Sequence, residues 1–183
     1  MGSEMCIRDR LILACLVIPV SFKQVSKILM SMVGEYIVAA YLCSMGYLAA
    51  VTPRGMPRAD LIVHDLANGR SRLVQVKAFS RRENRCPLIG ASATFESIDE
   101  VLREKVVYPY IFVELGQDLR KAKFYILAPG DVRKLAKETY IEWLERKSHK
   151  KPIEELKKTR QPLCIPIDKL EAFEDKWDNI WKN

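Results

Sequence analysis

Between Val25 and Met45 apolar residues recur at helical spacing, with Val33, Ile37, Ala40, Tyr41 and Met45 on one stripe and Gly46 as the stop. This predicts a first helix, which carries Gly34 and Glu35. The apolar runs that follow are shorter and rich in β-branched residues, so they read as strands. Tyr47 to Thr52 is the first. A loop containing Pro53, Arg54, Pro57 and Arg58 leads to two more, joined at Asn68-Gly69. An Asn-Gly pair between apolar runs predicts a hairpin with a two-residue turn, because such turns need backbone angles those residues tolerate. Val106 to Leu115 and Lys123 to Ala128 supply further strands; Pro109 implies an edge position for the former, or pairing that begins after it. Ser97-Ile98-Asp99-Glu100 has the spacing of a capping box and predicts a short helix ending near Lys105 that crosses one face of the sheet. A longer helix is predicted from Asp131, as N-cap, to about Lys147, with Val132, Leu135, Ala136, Tyr140, Trp143 and Leu144 inward. An extended segment at Leu163 to Ile167 then precedes an amphipathic helix from Asp168 to Trp181 bearing Leu170, Phe173, Trp177 and Trp181. The pattern amounts to one α/β domain: a mixed four- to five-stranded sheet whose first strands are antiparallel, with the first helix before it and the late helices on its other side.

A chain of 183 residues suffices for one good core and gives no argument for two. Residues 1 to 29 differ in character from the rest and read as a spurious or disordered extension, leaving 30 to 183 as the domain. Met5 to Asp9 resembles a translated sequencing adapter, and the ten residues Leu11 to Val20 form an apolar run. That run is short of the roughly 20 residues a bilayer span needs, so no membrane is expected. With Arg8 and Arg10 before it the run resembles a signal-peptide core lacking a small-residue cleavage site, and a genuine one would mean an anchored or exported protein. Five scattered cysteines without a CxxC suggest neither a disulfide framework nor a zinc site, which fits a reducing cytoplasm. A formal charge of +7 leans towards a polyanionic partner.

The hairpin focuses these observations. Side chains alternate along a strand, so Gln75 and Lys77 share one face while Val74 and Val76 share the other. A register symmetric about Asn68-Gly69 brings Asp60 level with Gln75 to Lys77. A carboxylate, an amide oxygen and an ammonium then converge, which is what metal-assisted phosphodiester hydrolysis requires: oxygen ligands for a hard cation and a positive group to orient water or offset phosphate charge.

Gly34-Glu35 on a helix, Pro57-Arg58-Ala59-Asp60 entering a strand, and Gln75-x-Lys77 on the next resemble the PD-(D/E)xK nuclease superfamily, nearest its Holliday-junction-resolvase-like and intron-homing members. The resemblance spans roughly residues 34 to 128 and rests on short motifs. It implies a restriction-endonuclease-like core and Mg²⁺-dependent endonucleolytic cleavage of DNA, with Mn²⁺ as a substitute cation. Asp60, Gln75, the Val76 carbonyl and Glu35 are its implied metal ligands; Glu35, Asp60, Gln75 and Lys77 are its implied catalytic set. Relatives often act as dimers, which leaves a homodimer open. Two departures mark this chain: Gln75 stands where an acid is usual, removing one negative charge from the site, and the proline lies three residues before Asp60, Arg58 taking the place two before.

Arg54 and Arg58 suit phosphate clamping, or they belong to an ordinary exposed loop. Arg81, Arg82 and Arg85 open a stretch without periodicity, running through Cys86-Pro87 and small residues to Ala93, that reads as a loop, either a nucleic-acid contact or merely soluble. Arg146 to Arg160 is the densest basic run, a backbone-binding arm or a solvated linker. Glu35 reads equally as a solvated helix residue, His64 as a packing residue, and Tyr108 and Tyr110 as sheet packing or base-stacking groups. Two other classes stay open: a DNA-binding module that has lost cleavage, and an interaction protein whose Asp-Lys cluster is a structural ion pair.

Overall fold

Helix α1 (Lys27–Ser44) stops where Gly46 adopts φ +89°, a left-handed value that suits glycine. The computed structural model describes residues 27–53, 59–80, 86–116 and 118–182, so the expectations placed on residues 1 to 26 and on Arg54, Arg58, Arg81, Arg82 and Arg85 lie outside the described residues. The buried stripe of α1 is Gly34, Val38 and Leu42, one position on from the predicted Val33/Ile37/Tyr41 line. Small Gly34 decides this, because it lets the helix axis come down onto the sheet. By length and composition α1 could cross a membrane. In the fold it lies against β1 (Tyr47–Val51) and β3 (Arg70–Phe79).

The main sheet has five strands in the order β1-β2-β3-β5-β6, where β2 is Leu61–Asp65, β5 Tyr110–Glu114 and β6 Lys123–Leu127. Every pairing is antiparallel except β3 with β5, as the mixed sheet required. The β2-β3 hairpin forms, but with Asp65 opposite Arg70 its turn holds Leu66 to Gly69 in place of a two-residue Asn-Gly turn. The Asp65 carboxylate explains the longer loop: it accepts from the N–H groups of Ala67 and Asn68, from Asn68 Nδ2 and from Arg70 Nε. Pro109 precedes an interior strand, and its carbonyl accepts the Gln75 N–H at 3.0 Å; of the two readings of Pro109, pairing that begins after it is the one observed.

Alternation on β5 and β6 separates two cores. Ile111, Val113, Phe124 and Ile126 join Val38 and Leu42 of α1 on one face. Tyr110, Phe112, Tyr125 and Leu127 join Val132, Ala136, Tyr140 and Leu144 of α3 (Pro129–Ser148) on the other. Each fully buried aliphatic side chain contributes on the order of 1.5–3 kcal/mol. The inward face of α3 is the one predicted, but the helix begins earlier: Ala128 is its N-cap, Pro129 opens it and Asp131 falls in the first turn. Proline suits that place because its fixed φ is already helical and it has no N–H to leave unpaired.

Four other expectations change. Residues 88 to 93, predicted as loop, form β4 (Leu88–Ala93), which pairs with β7 (Gln161–Cys164) in a separate two-stranded sheet and buries Ile89 and Ala93. At α2 (Ile98–Lys105) the capping box does not form: Ser97 has helical angles and its hydroxyl bonds Thr94. That helix packs mainly on β4 and α3, and its Ile98 and Leu102 join the core on the Tyr110 and Phe112 face of the main sheet. The basic run Arg146 to Arg160 is partly structural, since α4 (Ile153–Lys158) anchors it through buried Leu156. Finally, the C-terminal amphipathic helix is broken into α5 (Ile167–Leu170) and two 3-10 turns, with Asp175 at φ +53° between the turns. The cause is topological: Leu170 belongs to the core on one face of the sheet and Ile180 to the core on the other, so the chain passes around the β6 edge. It is tied there by Asp175 N–H to the Phe124 carbonyl at 3.0 Å.

Candidate functional site

Strand β3 is ten residues long and β2 five, and their register ends at Leu61 opposite Val74. Beyond Val74, β3 therefore overhangs its neighbour. Asp60 stands at the start of β2 and covers the first part of that overhang. Its own backbone is fixed on both sides: its N–H donates to the Val74 carbonyl at 2.9 Å, and its carbonyl accepts the Thr52 N–H at 2.9 Å. Thr52 also donates its hydroxyl to the Ala59 carbonyl at 2.7 Å. Half-buried Asp60 thus projects its carboxylate along the β3 edge from a rigid base.

Two groups of β3 donate to one oxygen of that carboxylate. Val76 N–H reaches Asp60 Oδ2 at 2.7 Å, and Gln75 Nε2 donates to the same oxygen. The Gln75 N–H itself points the other way, to Pro109. In an extended strand the N–H and C=O of one residue leave on the same side. The Val76 carbonyl hence shares the Asp60 side of β3, outside the β5 ladder. Asp60 and the Gln75 amide stand together as the hairpin reading anticipated, with the amide nitrogen and not its oxygen towards the carboxylate, while the Val76 carbonyl lies on the same side of the strand.

Lys77 lies on the Gln75 face of β3. A Cβ added at Gly90, which has φ +81°, would stand 3.7 Å from Lys77 Cε and Nζ, so β4 runs close over the lysine side chain. Burial lowers the Lys77 ammonium below its usual pKa range, and the charges of Asp60 and Glu35 act against that shift. Among the described residues no direct ion pair joins Lys77 to either acid. Glu35 approaches through α1: a Cβ built on the preceding Gly34 would meet Ala78 Cβ at 2.6 Å, which seats the helix against the end of β3. The Glu35 carboxylate accepts the Ser31 hydroxyl at 3.0 Å and is half-exposed.

Tyr110 completes the surroundings. It sits opposite Gln75 across the β3-β5 pair and donates its hydroxyl to the Ile89 carbonyl at 3.2 Å. Burial, with the Asp60 charge adding to it, raises its phenol pKa to about 12. Sequence reasoning left Tyr110 between packing and base stacking; it is buried and packs against Phe112. Nothing in the pattern signalled Gly90, which lies in a run of small residues, nor that Tyr110 would feel Asp60. His64, on the same strand, is engaged outside this cluster by Ser71 Oγ at 2.9 Å.

The chain matches no protein-family model and no curated protein. Function must be argued from the site. Among the described residues no group of three or more His, Cys, Asp or Glu side chains gathers as a metal cage. The donors present are of another kind. One carboxylate, one carboxamide and one main-chain carbonyl are hard oxygen ligands of the type Mg²⁺ accepts, and Mg²⁺ commonly binds through one or two carboxylates while keeping several waters. The hydrogen bonds to the Asp60 carboxylate among the described residues converge on Oδ2.

Proposed function

We propose that this protein is a metal-dependent endonuclease that hydrolyses DNA phosphodiester bonds, built on a restriction-endonuclease-like core of the PD-(D/E)xK type and working in the cytoplasm. The observation that carries this reading is the overhang of β3, where Asp60 lies beside the Gln75 amide and the Val76 N–H, with Lys77 on the Gln75 face and within reach of the Asp60 charge. Asp60, Gln75 and Val76 hold Mg²⁺ or Mn²⁺, with Glu35 as an outer partner. The ion supplies positive charge that polarises the phosphate and makes water more acidic. Lys77 orients the attacking water; a lysine whose pKa burial has lowered also gives up its proton more readily than a solvated one. Water attacks phosphorus, the bond to the leaving oxygen breaks, and that oxygen is protonated. The basic balance of the chain favours a polyanion, and Arg54, Arg58, Arg81, Arg82 and Arg85 are the groups assigned to its phosphates. A homodimer would present two such edges for the two strands of a duplex.

Nicking of supercoiled plasmid and of branched DNA in Mg²⁺ and in Mn²⁺ tests this directly. The wild type should cut, while Asp60→Ala and Lys77→Ala should not. Cutting that persists in both variants, or without divalent ions, refutes the assignment.

One observation favours a second reading. Gln75 Nε2 donates to Asp60, so a neutral amide answers the carboxylate that a cation otherwise would. A protein that keeps the fold, binds DNA and no longer cleaves fits that contact. Its mark is DNA affinity that falls steeply with salt, because backbone contacts release counterions, with no metal-dependent nicking. Affinity for neither DNA nor metal would favour an interaction protein.

A further inference from the structure

On the α3 side of the fold, away from Asp60, a cavity of about 220 Å³ opens between α3 and β7. Both Cys86 and Cys164 line it, with Thr139, Tyr140, Trp143 and Arg146. The β4-β7 pair brings the cysteines together: Leu88 is registered opposite Cys164, and Ile165 N–H donates to the Pro87 carbonyl at 3.1 Å. The two thiols line the same cavity and act on each other electrostatically. Neither is sealed off, since both are half-buried. Among the described residues the Tyr140 hydroxyl and Thr139 Oγ1 are buried without a hydrogen-bond partner. Buried hydroxyls usually find one, so two left open on residues that line a largely apolar cavity indicate a place for a small ligand able to hydrogen-bond.

We propose that Cys164 and Cys86 form a redox-active dithiol that reacts with small hydroperoxides in this cavity. Cys164 attacks. The neighbouring Cys86 and the charge of Arg146, which lines the same cavity, lower its pKa. Thiolates and not thiols are the nucleophiles, so the sulfur favoured by the Arg146 charge is the attacking one. The Cys164 sulfur takes the terminal peroxide oxygen: an S–O bond forms, the O–O bond breaks, and the departing oxygen leaves protonated as water or an alcohol. Cys164 is then a sulfenic acid. Thr139 and Tyr140 supply the hydroxyl donors that a bound peroxide and its departing oxygen need. Cys86 next attacks that sulfur: an S–S bond forms, the S–O bond breaks, and the hydroxyl leaves as a second water with the Cys86 proton. Two thiols have lost two electrons and the peroxide has gained them. The disulfide ties β4 to β7 and fixes the chain at the residue that follows Arg85.

The test treats the intact, reduced protein with hydrogen peroxide, quenches free thiols, and maps peptides by mass spectrometry without reduction. A Cys86–Cys164 cross-link should appear before oxidation of Cys43, which is exposed and serves as internal reference. Closing so long a loop should raise the Tm by roughly 5–10 °C, and dithiothreitol should reverse it. Dimedone present during the reaction should label Cys164 in Cys86→Ser several-fold more than in wild type, where the second thiol consumes the sulfenic acid. If Cys43 oxidises first, if no Cys86–Cys164 peptide forms, or if dimedone labels Cys86 and not Cys164 in the wild type, the proposal is overturned. The peptide map on the wild type decides the matter even if the variant does not fold.

Discussion

The main-chain N–H of Val76 donates to Oδ2 of Asp60 at 2.7 Å. A side chain thereby takes the place of a backbone partner, at the point where β3 has outrun β2. The contact closes the sheet edge and holds the carboxylate in position, so stability and the proposed chemistry share one side chain. Asp60→Ala should destabilise the fold by about 1–3 kcal/mol, because it leaves a Val76 N–H and a Gln75 amide without their acceptor. Asp60→Asn keeps an acceptor oxygen and should cost less, while both changes should abolish the proposed metal-dependent cleavage. Urea denaturation beside a nicking assay reads the two effects separately.

Gly34 and Ala78 define how closely α1 meets β3. Replacing a helical glycine by alanine ordinarily stabilises by up to about 1 kcal/mol. Here the new Cβ would stand 2.6 Å from Ala78 Cβ, and both atoms are fixed to backbone. Crowding of that kind costs about 1–3 kcal/mol, so Gly34→Ala should lower stability despite its better propensity. Ala78→Gly in the same molecule should restore most of the loss. A double-mutant cycle with no coupling between the two positions would remove this account of helix seating, and with it the placement of Glu35.

The hairpin was legible because two short-range signals agreed: strand composition on both sides of Asn68-Gly69, and alternation that put Gln75 with Lys77. What the sequence could not show was the length of the turn, set by the Asp65 carboxylate; the longer turn shifts the register by two residues, which keeps the face and moves Asp60 from opposite Lys77 to level with Gln75. Local pattern also failed wherever a long-range partner decided the outcome. Leu88 to Ala93 lacks strand composition and becomes a strand because β7, far along the chain, pairs with it. Leu170 and Ile180 fall at helical spacing, yet the chain between them must round a sheet edge, which no periodicity reports. The meeting of Cys86 with Cys164 is of the same kind: scattered positions in sequence, one cavity in space.

The C-terminal wrap depends on Asn179, which is buried and donates Nδ2 to the Ile126 carbonyl at 2.8 Å. Asn179→Ala removes that donor and leaves a buried carbonyl unpaired, at a cost of about 1–3 kcal/mol. Trp177 stacks on Tyr41 of α1 with ring centroids 5.1 Å apart, so loosening the wrap should also be visible as a change in tryptophan fluorescence. Unchanged denaturation midpoints would mean that the wrap is held by its apolar contacts alone.

Tyr110 gives the fold an alkaline weakness. Its phenol stays neutral in the folded protein up to about 12, whereas in the unfolded chain it ionises near the ordinary value of about 10. The unfolded state therefore loses its proton first. The stability linked to Tyr110 is complete below the unfolded pKa and is lost as pH rises through the folded one. Tyr110→Phe should cost about 1 kcal/mol at neutral pH through the lost bond to Ile89, yet flatten the fall in stability above about pH 10. In Asp60→Asn the phenol should titrate at lower pH, since one of the two causes of its shift is gone; absorbance at alkaline pH follows the phenolate directly.

Lys77 titrates in the opposite sense, and its sign distinguishes a working site from a structural ion pair. Burial is the leading cause of its lowered pKa and outweighs the attraction of Asp60 and Glu35. The folded state thus holds the proton less firmly than the unfolded one. Stability from this group is present above the unfolded value of about 10.5 and is lost as pH falls through the lowered folded value. At neutral pH the buried ammonium is a net cost, of the kind a protein retains where the charge is used. Lys77→Met, similar in length and uncharged, should therefore raise the denaturation midpoint at pH 7 and show a shrinking advantage as pH climbs past the folded pKa, while metal-dependent nicking disappears. A lowered midpoint at pH 7 would mean that attraction to Asp60 and Glu35 dominates, and Lys77 would then be one arm of a stabilising charge cluster with no call on a phosphate.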